Sequence, residues 1–154
     1  RVLFTTQPER FAGRLEAYAD QRLQDEPRRR YYITGHSLGG GLAKIIAFKY
    51  DMPAVTFMAP GLERTGYLAF QWNTSVAVDN PLGRRAVTVQ PGNDIVSRVD
   101  RQLSAVIPSP CLEDPLTCHR IYPAGVCPIF ARCGSMRNSG SLRLPCGQCP
   151  AYPC

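Results

Sequence analysis

With 154 residues, 44% of them apolar, and no hydrophobic run long enough to span a bilayer, the chain has material for one ordinary domain and none for a membrane-crossing helix. Its formal charge of +6 comes almost wholly from arginine, with Lys44 and Lys49 as its two lysines, and the basic residues are scattered except at Arg28, Arg29 and Arg30. Such a surface suits a solvated face and at most peripheral contact with anionic lipid; without interleaved aromatics or a binding motif, the arginine run predicts no nucleic-acid partner and reads better as the cap of a helix C-terminus.

The chain opens on "RVLF" with neither an initiator methionine nor a signal-peptide pattern, which reads as the start of a fragment or a processed chain. Residues 9–26 place Phe11, Leu15, Tyr18 and Leu23 close to one face of a helix that Pro27 ends. "YYITGH" (31–36) has the β-branched and aromatic content of a short buried strand. "LGGGLAKIIAFKY" then turns at once into a helix with Leu42, Ile45, Ile46 and Lys49 at helical spacing. "PAVTFMAPG" (53–61) predicts a second strand, "RTGYLAFQWN" a helix within the mixed stretch 62–85, and "RAVTVQPGND" (85–94) a third strand. From residue 104 the abundance of Pro, Cys and Gly predicts loops. Strands alternating with helices imply parallel pairing through crossovers, so the fold class is α/β, and three strands are few for a complete open sheet.

All seven cysteines (Cys111, Cys118, Cys127, Cys133, Cys146, Cys149 and Cys154) lie in the last third. This clustering favours a disulfide-stapled tail and a secreted or luminal, oxidising setting. Cys146-x-x-Cys149 offers two zinc ligands, but no second pair completes a site, so no metal or cofactor is expected. Asn73-Thr74-Ser75 is a glycosylation sequon, in keeping with secretion.

The corner between "YYITGH" and the helix is the informative stretch. Gly35-His36-Ser37-Leu38-Gly39 matches the nucleophile-elbow pattern G-x-S-x-G, in which a tight strand-to-helix turn lifts a serine into reach. Small residues two before and two after the serine, Gly35 and Gly39, would permit the turn, and Gly40, Gly41 and Ala43 would let the helix lie close to its strand. The backbone N–H of Leu38 would then stand at a helix N-terminus, where it can serve an oxyanion. A plain glycine-rich corner is the alternative, and the flanking apolar strand and small-residue helix argue against it.

A serine nucleophile needs a base. His36 adjoins Ser37 on the strand and points away from its face, which suits packing or a hydrogen bond under the elbow, so His119 is the remaining candidate. A loop pinned through Cys118 and Cys127 would hold its ring. Candidates for the orienting acid are Asp79, Asp94, Asp100, Glu113 and Asp114. Asp94 is favoured because it follows the C-terminal end of a strand, where the loops of a parallel sheet gather, with Asp100 second. The order Ser37, Asp94, His119 is that of the α/β-hydrolase arrangement.

"YYITGHSLGGGLAKIIAF", "AVTFMAPG", "VTVQPGNDIVSRV" and "CHRIYPAGVCPIFARCGS" together resemble the class 3 (fungal-type) lipases of the α/β-hydrolase superfamily, over roughly residues 9–135. The resemblance implies that residues 1–135 are the C-terminal part of such a domain, with its N-terminal strands absent, and that 136–154 form a Cys/Pro-rich tail. It implies Ser37 as nucleophile, Asp94 as acid and His119 as base, in an esterase-lipase that cleaves lipid esters through an acyl-enzyme. Family members carry a second oxyanion donor on a loop before the elbow helix. An associated N-terminal segment or a larger assembly would supply it here; otherwise the chain would be a catalytically impaired, lipase-derived structural subunit. The spacing from Asp94 to His119 is also short for the family, which trims the region that often forms the acyl-chain pocket.

Overall fold

The computed structural model describes residues 8–70 and 85–129. Asp79, the Asn73 sequon and the cysteines from Cys133 onward lie outside the described residues, as does the tail 136–154. Four parallel strands pair in chain order: β1 (Ile33–His36), β2 (Ala54–Phe57), β3 (Ala86–Pro91) and β4 (Ala105–Ser109). Helices α1 (Pro8–Asp25), α2 (Ser37–Tyr50) and α3 (Glu63–Phe70) precede β1, β2 and β3, giving the expected α/β fold of parallel strands joined by helical crossovers.

The pleat divides the sheet into two unlike faces. Ala54, Thr56, Ala86 and Thr88 are buried, and Ala54 and Ala86 join Ala12 of α1, Ile45 and Ala47 of α2, and Leu62 in one core. On the opposite face Val55 is 45% exposed. Small residues at the first interface let helices and sheet approach closely, so that core is made from alanines as much as from large side chains.

Helix α1 departs from its sequence reading. Among its described side chains, which do not include Phe11, Ala12 and Ala19 are buried while Leu15 and Tyr18 are exposed. Both line an apolar cavity of about 530 Å³ between α1 and α2, at the edge of β1 that has no strand partner among the described residues. The periodicity was that of a helix bordering a groove, with alanine rather than leucine at the close contact.

The segment after residue 104 also departs from expectation, because β4 is a strand where loops were predicted. Pro108 and Pro110 argued against a strand, since proline cannot donate to a ladder. Among the described residues β4 pairs with β3 alone, so it is an edge strand, where a missing N–H can face away from the sheet. After it come α4 (Pro115–Cys118) and a π-helical turn, Ile121–Val126. Arg29 pairs with Glu26 just beyond α1, within an exposed run and not as a cap inside the last turn.

Candidate active site

The corner between β1 and α2 is a strained turn. Ser37 has φ 56°, in the left-handed region that a non-glycine residue enters at a cost of order 1 kcal/mol or more. Sterics explain which glycines are needed. A Cβ at Gly35 would come within 2.3 Å of the Gly39 carbonyl oxygen, and one at Gly40 within 2.6 Å of the Ala59 Cβ. One at Gly39 would meet nothing within 4 Å. The sequence pattern assigned the second tight position to Gly39; the packing of α2 on the residues after β2 gives it to Gly40.

The three residues favoured by the sequence converge. His119 Nε2 lies 2.8 Å from Ser37 Oγ, and His119 Nδ1 lies 2.8 Å from Asp94 Oδ1. A carboxylate accepts, so the proton sits on Nδ1, and Nε2 presents its lone pair to the serine hydroxyl. Asp94 is fully buried at the end of β3, yet its carboxylate also accepts the N–H groups of Val96 (3.0 Å) and Ser97 (3.1 Å). Three donors offset the loss of water around this side chain.

His119 is delivered by a compact device. Asp114 accepts the N–H groups of Leu116 and Thr117 and so caps α4, Pro115 occupies the first turn, and Cys118 is bonded to Cys111. The Thr117 contacts hold the Asp114 carboxyl below its ordinary range. His119 follows as the C-terminal cap, its N–H donating to the Pro115 carbonyl. The bridge therefore closes residues 111–118 ahead of the histidine. Cys127 is disulfide-bonded too, but not to Cys118. Asn93 donates to the Glu113 carbonyl at 3.1 Å, joining the turn before Asp94 to this loop.

The other candidates have different work. Asp100 accepts from the N–H groups of Arg64 (3.0 Å) and Thr65 (2.9 Å) and from the Thr65 hydroxyl, which makes it the N-terminal cap of α3. Glu113 is exposed and contributes its backbone carbonyl. His36 does not meet Ser37; its Nε2–H donates to the His119 carbonyl at 2.9 Å, and the two rings lie 4.9 Å apart. The Leu38 N–H lies in the first turn of α2, as the pattern required.

Sequence reasoning passed over Lys44 and Gln102. Lys44 is 1% exposed and donates to the Pro60 carbonyl (2.6 Å) and to Gln102 Oε1 (2.7 Å). Burial pushes its pKa down to about 7, against the pull of Asp100. The one available signal was a lysine set between Ala43 and Ile45, on the apolar side of α2.

Large apolar side chains border the site. Leu38 beside Ser37, Ile95 beside Asp94, and Leu112 and Leu116 in the loop before His119 are all more than half exposed. Among the described residues no helix is long and apolar enough to cross a membrane.

Comparison with known proteins gives a family. A model of the Tle-like phospholipase domain matches residues 16–97, more than half of the chain. The chain is similar to proteins named "Putative lipase ATG15" in several organisms. The identity is 54% over 41 residues in Eremothecium gossypii, covering 27% of this chain and 8% of that protein. It is 40% over 52 residues in Debaryomyces hansenii, covering 33% and 8%. It is 45% over 51 residues in Candida glabrata, covering 33% and 10%. The chain thus spans a tenth or less of the length of these curated relatives.

Proposed function

Since the chain belongs to the Tle-like phospholipase domain family, we propose that it hydrolyses carboxylic esters of lipids, with Ser37 as nucleophile, His119 as general base and Asp94 as the acid behind it. The observation that carries this reading is the pair of 2.8 Å contacts that His119 makes, one to a serine on a strained elbow and one to a buried carboxylate. Ser37 Oγ attacks the ester carbonyl carbon as its proton passes to His119 Nε2. Asp94 steadies the resulting imidazolium. The Leu38 N–H, at the positive end of α2, stabilises the tetrahedral oxyanion. Collapse transfers the proton from His119 to the departing alcohol and leaves an acyl-serine. Water, activated by the same histidine, then releases the carboxylic acid and restores Ser37.

This machinery selects the acyl ester of a lipid over its phosphodiester, because a serine backed by histidine and aspartate is built for acyl transfer. The exposed Leu38, Ile95, Leu112 and Leu116 favour an apolar substrate or a lipid surface over a water-soluble ester. Within the superfamily, "YYITGHSLGGGLAKIIAF" favours the class 3 (fungal-type) lipases. The Cys111–Cys118 bridge favours a secreted or luminal setting.

The test is labelling of the folded chain with a fluorophosphonate, followed by peptide mass spectrometry, with Ser37→Ala as control. Label on the peptide bearing Ser37, absent from the variant, is the expected result. Folded protein that takes no label would overturn the reading in favour of a lipase-derived structural subunit.

A further inference from the structure

Lys44 stands two helical turns after Ser37 on α2, in a core that has no need of a lysine for packing. An apolar side chain of similar volume would fill the same space without the penalty of burying an ammonium. What the lysine adds is a junction. Its three hydrogens meet three acceptors: the Pro60 carbonyl at 2.6 Å, Gln102 Oε1 at 2.7 Å and Thr88 Oγ1 at 3.5 Å. With its oxygen committed to the ammonium, Gln102 points Nε2–H groups at the carbonyls of Ala59 (2.8 Å) and Ser97 (3.0 Å). Ser97 in turn donates its backbone N–H to Asp94 Oδ2 at 3.1 Å, and its hydroxyl reaches the Asp94 carbonyl at 3.4 Å. The elbow helix and the segment after β2 therefore meet at one buried amino group, and the turn holding Asp94 is tied to it through the Gln102 amide.

We propose that Lys44 is a positioning residue for Asp94, holding Gln102 and, through it, the Ser97 turn that seats the carboxylate. This rests on the reading of Ser37, His119 and Asp94 as the reacting group. Every member of the chain from Lys44 to Asp94 is buried or half-buried, and each polar atom in it has a partner. A partly broken network of this kind is worse than an apolar one, because a buried polar group left without a partner has lost its water without replacing it. Loss of the ammonium leaves Gln102 Oε1 with only the Ser104 hydroxyl at 3.5 Å, which loosens the amide that places Nε2 against the Ser97 carbonyl.

The experiment compares Lys44→Met and Gln102→Met with the parent chain on a short-chain p-nitrophenyl ester, with thermal unfolding measured alongside. The expected result is a fall in kcat of roughly 10-fold or more in both variants at little-changed KM, because the broken contacts act on the acid rather than on substrate binding. The rate of fluorophosphonate labelling at Ser37 should fall by a similar factor. Unchanged kcat in a folded variant, with only the unfolding temperature lowered, would overturn the proposal and leave Lys44 a structural strut. If Lys44→Met does not fold, Gln102→Met decides the matter by the same criterion. A parent chain that shows no more activity than Ser37→Ala would defeat the underlying serine reading instead.

Discussion

His36 and His119, 83 residues apart in the chain, are joined by a 2.9 Å hydrogen bond from the His36 ring to the His119 backbone carbonyl. The residue before the serine thus holds the main chain of the residue that contacts it. Replacing His36 with Leu removes the donor and leaves a partly buried carbonyl unpaired, at a cost of about 1–2 kcal/mol. Activity should fall roughly 10-fold, while His36→Gln, whose amide can donate from a similar place, should recover much of it. Equal losses in both variants on a soluble ester would show that the ring itself, rather than its hydrogen bond, is required.

The two glycines after the elbow should behave oppositely. Gly39→Ala adds a methyl group to open space and should leave stability unchanged or raise it by up to about 1 kcal/mol, as in other helices. Gly40→Ala drives that methyl into Ala59 and should cost roughly 1–3 kcal/mol, with α2 displaced and activity reduced. Urea unfolding of the two variants distinguishes this packing from the sequence pattern, which singles out Gly39.

Asp94 and Asp100 can be separated by the same change. Asp94→Asn preserves shape but removes the charge facing His119, and hydrolysis should drop on the order of 10⁴-fold with little loss of fold. Asp100→Asn weakens the cap of α3, lowering stability by about 1 kcal/mol while hydrolysis persists. Activity lost on Asp100→Asn alone, in folded protein, would reverse the two assignments.

The Cys111–Cys118 bridge closes a short loop directly before His119. For a loop this size its effect on the unfolded chain is worth about 2–3 kcal/mol. On titration with reductant, hydrolysis should fail before the sheet does, because the bridge braces α4 and the histidine and not the strands. Parallel loss of activity and of far-ultraviolet circular dichroism would count against a local role.

Lys44 gives stability a pH dependence. Its pKa is about 7 when folded, from burial, against the ordinary lysine value of about 10.4 in the unfolded chain. Between these values the unfolded state binds more protons, so this group makes folding more favourable as pH rises from about 7 toward 10. Below about 7 the burial penalty is present in full. Lys44 should therefore add a positive slope to the unfolding free energy of the parent chain over that window, and Lys44→Met should remove that part; matching slopes would show that the acceptors around the lysine hold its charge despite burial.

Much of the architecture was legible because it rests on short-range regularities. An apolar β-branched run, a glycine corner and a helix of small residues specify β1, the elbow and α2 with no knowledge of the rest of the chain. The order Ser37, Asp94, His119 and the elimination of His36 singled out the three residues whose side chains meet. The sheet edge was not legible, since the prolines of "AVIPS" exclude a central strand but not an edge strand, and only pairing decides which it is.

From the sequence alone came the α/β class, the elbow and the three residues that meet there, because each depends on residue type and local spacing. Tertiary structure alone decided that Gly40 rather than Gly39 takes the tight position, that Asp100 caps a helix, that His36 holds His119, and that Lys44 is buried at a junction of three segments. These are contacts between residues far apart in the chain. Their energies depend on packing, on the loss of water and on the partner each polar group finds, none of which local sequence records.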